Sequence, residues 1–209
     1  MWNHLSRSLL AATAFLTSSF GATPLAAHSP TSTTGSGVVE PPRLEFIDMP
    51  SDFIAGATWA TGLFAEADLD LPPLRFVFHG DVAEPCQGRP GLHHQVDHVS
   101  VIEICTTEMS NATAGLMLHE TSHAWIDLNL TDAAKDSFKK LRGWTYWRNY
   151  AAARWHENGT EQAAEIMVWG LIDRPLKMIR IDQNSCDELD AGYRTLTGRA
   201  PLHGYRDQC

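Results

Sequence analysis

The sequence predicts an α+β fold: a small, mainly antiparallel sheet packed against one apolar helix, followed by a mostly helical C-terminal half. Three observations carry this prediction. Runs rich in β-branched and aromatic residues at 74–79 and 98–105, with a weaker strand pattern at 92–96 between them, have the composition of strands that line a half-buried pleated surface. A longer apolar segment of helical length follows at 111–129. Beyond it, capping residues and helix-stopping Gly or Pro punctuate three further stretches. With 209 residues, 44% of them hydrophobic, the chain suits one domain with a sizeable core.

The N-terminus reads as a secretory signal over residues 1–27. Arg7 supplies a positive start, Leu9 to Phe20 is an apolar run too short to span a bilayer, and Leu25-Ala26-Ala27 offers a small-residue cleavage site before His28. Residues 28–43, rich in Ser, Thr, Gly and Pro, read as a flexible leader. The remaining 44–209 then form the single domain. The expected location is extracellular or in the cell envelope, with no stable membrane insertion after signal cleavage. The formal charge is −9, from 16 basic and 25 acidic residues, and no basic run appears, which argues against nucleic acid as a partner. The four cysteines, Cys86, Cys105, Cys186 and Cys209, form no Cys-x-x-Cys pair, so the metal chemistry considered below is not theirs. In an oxidising compartment an even count predicts two disulfides. Three pairings are open. Cys86–Cys105 with Cys186–Cys209 is preferred because each closes a modest local loop.

In chain order, Leu44–Ile47 reads as a short strand. Ser51 or Asp52 caps a helix over 53–67, whose stripe is Phe53, Ala57, Ala60, Leu63 and Phe64, and Pro72-Pro73 stops it. Leu74–His79 is a strand, Asp81–Pro90 a loop, and Leu92–Val96 a further strand. His98–Cys105 is apolar on both faces, which places it inside the sheet. Short connections between these strands favour antiparallel pairing. Ser110 caps a helix over 111–129; Thr131 opens another over 132–142, closed by Gly143. An aromatic-rich stretch, 144–156, precedes a helix over 161–171 capped by Thr160, and Asn184 or Ser185 caps a last helix to about Leu196.

Within the 111–129 helix stands His119-Glu120-Thr121-Ser122-His123. Residues i and i+4 of a helix lie one turn apart on one face, so both imidazoles can reach one metal ion. Glu120 lies beside them, placed to take a proton from a metal-bound water. A third protein ligand is required. The extension of this motif to Gly and a third His fails here, because Ile126 and Asn129 occupy those positions. Glu161, 38 positions after His123, is the best candidate. Glu165, one turn further, is placed to accept the free N–H of a ligating histidine. His156 and Glu157 are the runner-up ligands. The run His93-His94-Gln95-Val96-Asp97-His98 lacks a helical i, i+4 pattern and reads as a loop or strand end.

His119-Glu120-x-x-His123 followed by Glu161-x-x-Ala164-Glu165 resembles the gluzincin branch of zinc metallopeptidases, and the element order is similar to that of their compact single-domain members, the minigluzincins. The segment Trp155–Glu165 also resembles small secreted bacterial proteins with such a helix. The resemblance spans roughly residues 50–172. It implies one zinc ion at His119, His123 and Glu161, with Glu120 as the general base that activates the zinc-bound water to hydrolyse a peptide or protein substrate. It also implies that the strand ending near Cys105 edges a cleft and pairs with extended substrate. Tyr150 and His156 are the favoured donors to the oxyanion, with Tyr146, His203 and Tyr205 behind them. The chain carries Glu165 where the best-known members carry Asp. The alternative reading is a non-catalytic zinc-binding or partner-binding protein on the same scaffold.

Overall fold

In the computed structural model, which describes residues 43–148, 158–175, 184–204 and 209, the strands and one helix come first and the remaining helices last. The order is β1 (Leu44–Ile47), α1 (Ser51–Glu66), β2 (Leu74–Phe78), β3 (Gly91–Val96), β4 (Val99–Ile104), α2 (Asn111–Asn129), α3 (Asp132–Arg142), α4 (Gly159–Leu171) and α5 (Cys186–Thr197). The fold is α+β, as predicted. The signal segment, the leader through residue 42, and Tyr150, His156, Glu157 and Tyr205 lie outside the described residues.

The sheet is mixed rather than mainly antiparallel. Its order is β1-β2-β4-β3; β1/β2 and β2/β4 are parallel, and only β3/β4 is antiparallel. The cause is the connections. α1 separates β1 from β2, and a helical crossover returns the chain in the same direction. The loop 79–90 then carries the chain past the position β4 will take and out to the edge. β4 lies inside, with Val101, Ile102 and Ile104 at 4%, 0% and 0% exposure, whereas β3, carrying two histidines and a glutamine, takes the edge. Asp97 and His98 both have positive φ (47° and 68°), as the two central residues of a type I′ hairpin turn require. His98 therefore belongs to the turn rather than to β4.

One face of the sheet carries Leu74, Phe76, Ile102 and Ile104, all fully buried in the core with Phe53 and Phe64 of α1 and Met117, Leu118 and Ile126 of α2. The predicted stripe of α1 is buried along its whole length, although Pro50 rather than Ser51 or Asp52 precedes the helix and no side chain caps it. α2, α3 and α5 begin as their sequences require: the Ser110, Thr131 and Ser185 side chains accept from the third residue of their helices, and Ser185 completes a capping box with Glu188. α3 ends at Gly143 with φ 68°.

α4 begins two residues before the predicted start. Asn158 occupies the N-cap and Thr160 lies in the first turn. Residues 146–147 run over this start. The Thr160 N–H donates to the Trp147 carbonyl (2.9 Å), and a Cβ on Gly159 would meet the Tyr146 carbonyl oxygen at 2.9 Å, so glycine admits the crossing strand of backbone. The other end of α4 is pinned by α5: the Tyr193 ring lies against Gly170, where a Cβ would come within 2.1 Å of it. Both preferred disulfides are formed, Cys86–Cys105 and Cys186–Cys209. Among the described residues no helix is long and apolar enough to cross a membrane.

Candidate metal centre

Two helices build the site. α2 is buried along most of its length, and its interior residues Met117, Leu118, Ala124 and Ile126 fix its rotation against the core. That rotation turns His119 and His123, one helical turn apart, toward α4. The small residues Ala163 and Ala164, both fully buried, let α4 approach closely. Its first turn then presents Glu161, and the next turn presents Glu165.

The donor atoms converge. His119 Nε2 and His123 Nε2 lie 3.0 Å apart, and Glu161 Oε2 lies 3.1 Å from the first and 3.2 Å from the second. The two rings stand perpendicular, at 87°. Two ring nitrogens facing one another at this distance, with a carboxylate oxygen closing the triangle, require a proton or a cation among them. Donors about 2.1 Å from a single tetrahedral ion stand about 3.4 Å apart, only a few tenths of an ångström more than observed. The group His119, His123 and Glu161 could therefore hold a metal ion, with only small movements of the side chains.

The surroundings support the triangle. Glu165, 1% exposed, places Oε1 2.8 Å from His119 Nδ1, on the opposite side of the ring from the converging nitrogen. This is the carboxylate–imidazole contact expected behind a ligating histidine. Burial alone would push the His119 imidazole down, but hydrogen bonds to Glu161 and Glu165, with the charges of Glu165 and Glu120, outweigh it and hold the ring well above the usual histidine range. Burial would likewise raise Glu161, yet hydrogen bonds from His119 and His123 hold its carboxyl below the usual carboxylate range. Glu120, 7% exposed, is close enough for its charge to act on His119.

Several weaker candidates fall elsewhere. His203 is exposed, and its backbone N–H donates to the Gly170 carbonyl; Gly170 is nine residues along α4 from Glu161, roughly 14 Å at the helical rise. Tyr146 passes its backbone over the first turn of α4 but is 59% exposed. Trp147 packs edge-on against Phe138 at 6.0 Å and lies under Lys135, a packing role. Ile126 is core, and the Asn129 amide donates to the Asp70 and Trp125 carbonyls, so neither belongs to the centre.

The histidine run divides by strand parity. His93 pairs with Ile102 on the helix-facing side of the sheet, while His94 pairs with Val101 on the opposite face. There His79 and His94 approach the two oxygens of Glu103, at 2.5 and 3.6 Å. His93, with a side chain 5% exposed, faces the His123 ring, almost parallel to it at 11° and 6.3 Å between centroids. Its Nδ1 is 3.8 Å from Asp127 Oδ2, and Arg148 Nη2 donates to both oxygens of Asp127 at 2.7 and 3.0 Å. Burial first, then the charges of His123, His94 and Arg148, push the His93 imidazole down to about 3. The sequence assigns His93 only to a loop or strand end and gives Asp127 no role. The period of two in β3 and the i+4 spacing of Asp127 from His123 were the signals that could have found them.

No protein-family model, curated protein or solved structure matches this chain.

Proposed function

We propose that the protein is a secreted zinc-dependent peptidase of gluzincin type, acting on peptide or protein substrates. The observation that carries this reading is the convergence of His119 Nε2, His123 Nε2 and Glu161 Oε2 within 3.2 Å of one another, from two helices, with Glu161 38 positions after His123. Two imidazoles and one carboxylate form a donor set for a catalytic zinc site. Zinc, when bound there, supplies a Lewis acid that acidifies water and polarises a carbonyl. The chain's own residues do the remaining work. Glu120, next to His119 on the same helix, takes the proton of the attacking water and returns it to the leaving amine. Glu165 keeps the His119 ring turned so that Nε2 faces the centre. The two disulfides suit an oxidising compartment outside the cytosol.

The test is zinc content together with cleavage of a broad peptide library, for wild type and for Glu120→Gln. The expected outcome is one zinc per chain in both proteins and a loss of cleavage of about 10²–10⁴-fold in the variant. Undiminished cleavage by Glu120→Gln would refute the assignment of the base. Stoichiometric zinc without turnover of any peptide would instead identify a non-catalytic zinc protein on this scaffold.

A further inference from the structure

β3 and the centre meet at one residue. His93 projects from the edge strand toward α2 because its cross-strand partner, Ile102, is a fully buried core residue. There its ring lies nearly parallel to that of His123. Its nitrogens make no short hydrogen bond among the described residues: Nδ1 stands 3.8 Å from Asp127, and Nε2 is buried without a partner. The ring itself is therefore what His93 offers its neighbour. Asp127, one helical turn after His123, is held by Arg148.

We propose that His93 is a positioning residue of the metal centre: its ring bears on the imidazole of His123 and fixes the direction of that ligand's Nε2. The inference rests on the reading of His119, His123 and Glu161 as a metal site. A histidine ligand swings its Nε2 through an arc when it turns about the Cβ–Cγ bond. A parallel ring in aromatic contact restricts that turn, and such contacts act at centroid separations of 4.5–7 Å. A hydrogen-bonded support behind a ligating histidine changes metal affinity by about 10–100-fold, and a ring contact changes it by roughly 2–12-fold. His119 has its support in Glu165. His93 is the corresponding support for His123, supplied by a different element of the fold, so the edge strand is tied to the metal through one side chain.

The experiment compares wild type, His93→Ala and His93→Phe for zinc affinity, by competition with a chromophoric chelator, and for the visible d–d bands of the cobalt(II)-loaded proteins. Melting of the metal-free proteins checks that each is folded. Expected are a loss of affinity of about 4–12-fold in His93→Ala with altered cobalt bands, and affinity within about twofold of wild type with wild-type bands in His93→Phe, which keeps a planar ring. Wild-type affinity and bands in a folded His93→Ala would overturn the proposal, as would an equal loss in both folded variants. If wild type itself binds neither metal, the metal-site reading fails, a result distinguishable from the other two.

Discussion

The coupling of protons to metal at His119 can be measured without any substrate. In the metal-free protein His119 holds its proton well above the usual histidine range, because Glu161 and Glu165 outweigh the burial that would remove it. At neutral pH the ring is then an imidazolium, with one N–H toward Glu161 and the other toward Glu165. A metal ion must take the Nε2 position, and only the proton there is displaced, since Nδ1 faces Glu165 away from the triangle. Zinc binding at neutral pH should therefore release about one proton from His119, and the binding constant should rise about tenfold per pH unit while that proton is being displaced. Linkage in the metal-free protein has the matching sign. The His119 contribution to stability is complete below the ordinary histidine value and is lost as pH rises through its raised folded value. The Glu161 contribution is complete above the ordinary carboxylate range and is lost as pH falls through its lowered folded value. Titration calorimetry in two buffers of different ionisation enthalpy counts the protons. Glu165→Gln is the internal control. It keeps an acceptor beside Nδ1 and removes a charge that holds the proton, so proton release should fade at a lower pH than in the wild type. Zinc binding with no buffer dependence near neutral pH, or a release that fades at the same or a higher pH in Glu165→Gln, would refute this account of the centre.

Further outcomes concern the frame that holds the centre. Replacing Cys86 and Cys105 by Ser frees a loop of sequence separation 19 and should cost about 3 kcal/mol, read as a lower urea midpoint. Gly170→Ala places a methyl 2.1 Å from the Tyr193 ring and should cost about 1–3 kcal/mol by overpacking; an unchanged melting temperature would contradict the close contact of α4 with α5. His93, held down to about 3, lowers stability as pH falls below the ordinary histidine value of about 6.5 toward that value. His93→Phe should therefore flatten the acid limb of the stability profile, which chemical denaturation at stepped pH would show.

Much of this molecule was legible locally. The caps at Ser110, Thr131 and Ser185, the stop at Gly143 and the buried stripe of α1 follow from short-range rules. So does the shared helical face of His119 and His123, because four residues of α-helix return a side chain to the same side. The disulfide pairing followed from loop length. The strand order did not: short connections suggested antiparallel neighbours, but α1 imposed a parallel crossover and the loop 79–90 sent β3 to the edge. The loss was larger than one sheet topology, because the edge position of β3 is what brings His93 to His123.

What the sequence by itself determined, then, was the chemistry available: two imidazoles one turn apart, a glutamate between them, and two further glutamates one turn apart on a later helix. Only the tertiary structure decided that Glu161 and Glu165 meet His119 from its two sides, at 3.1 and 2.8 Å, that His203 stands away, and that His93 rather than His94 faces inward. The physical reason is that covalent geometry sets spacings along one helix, whereas the meeting of α2, α4 and β3 depends on how buried surfaces such as Ala163, Ala164 and Ile102 fit together across long stretches of chain.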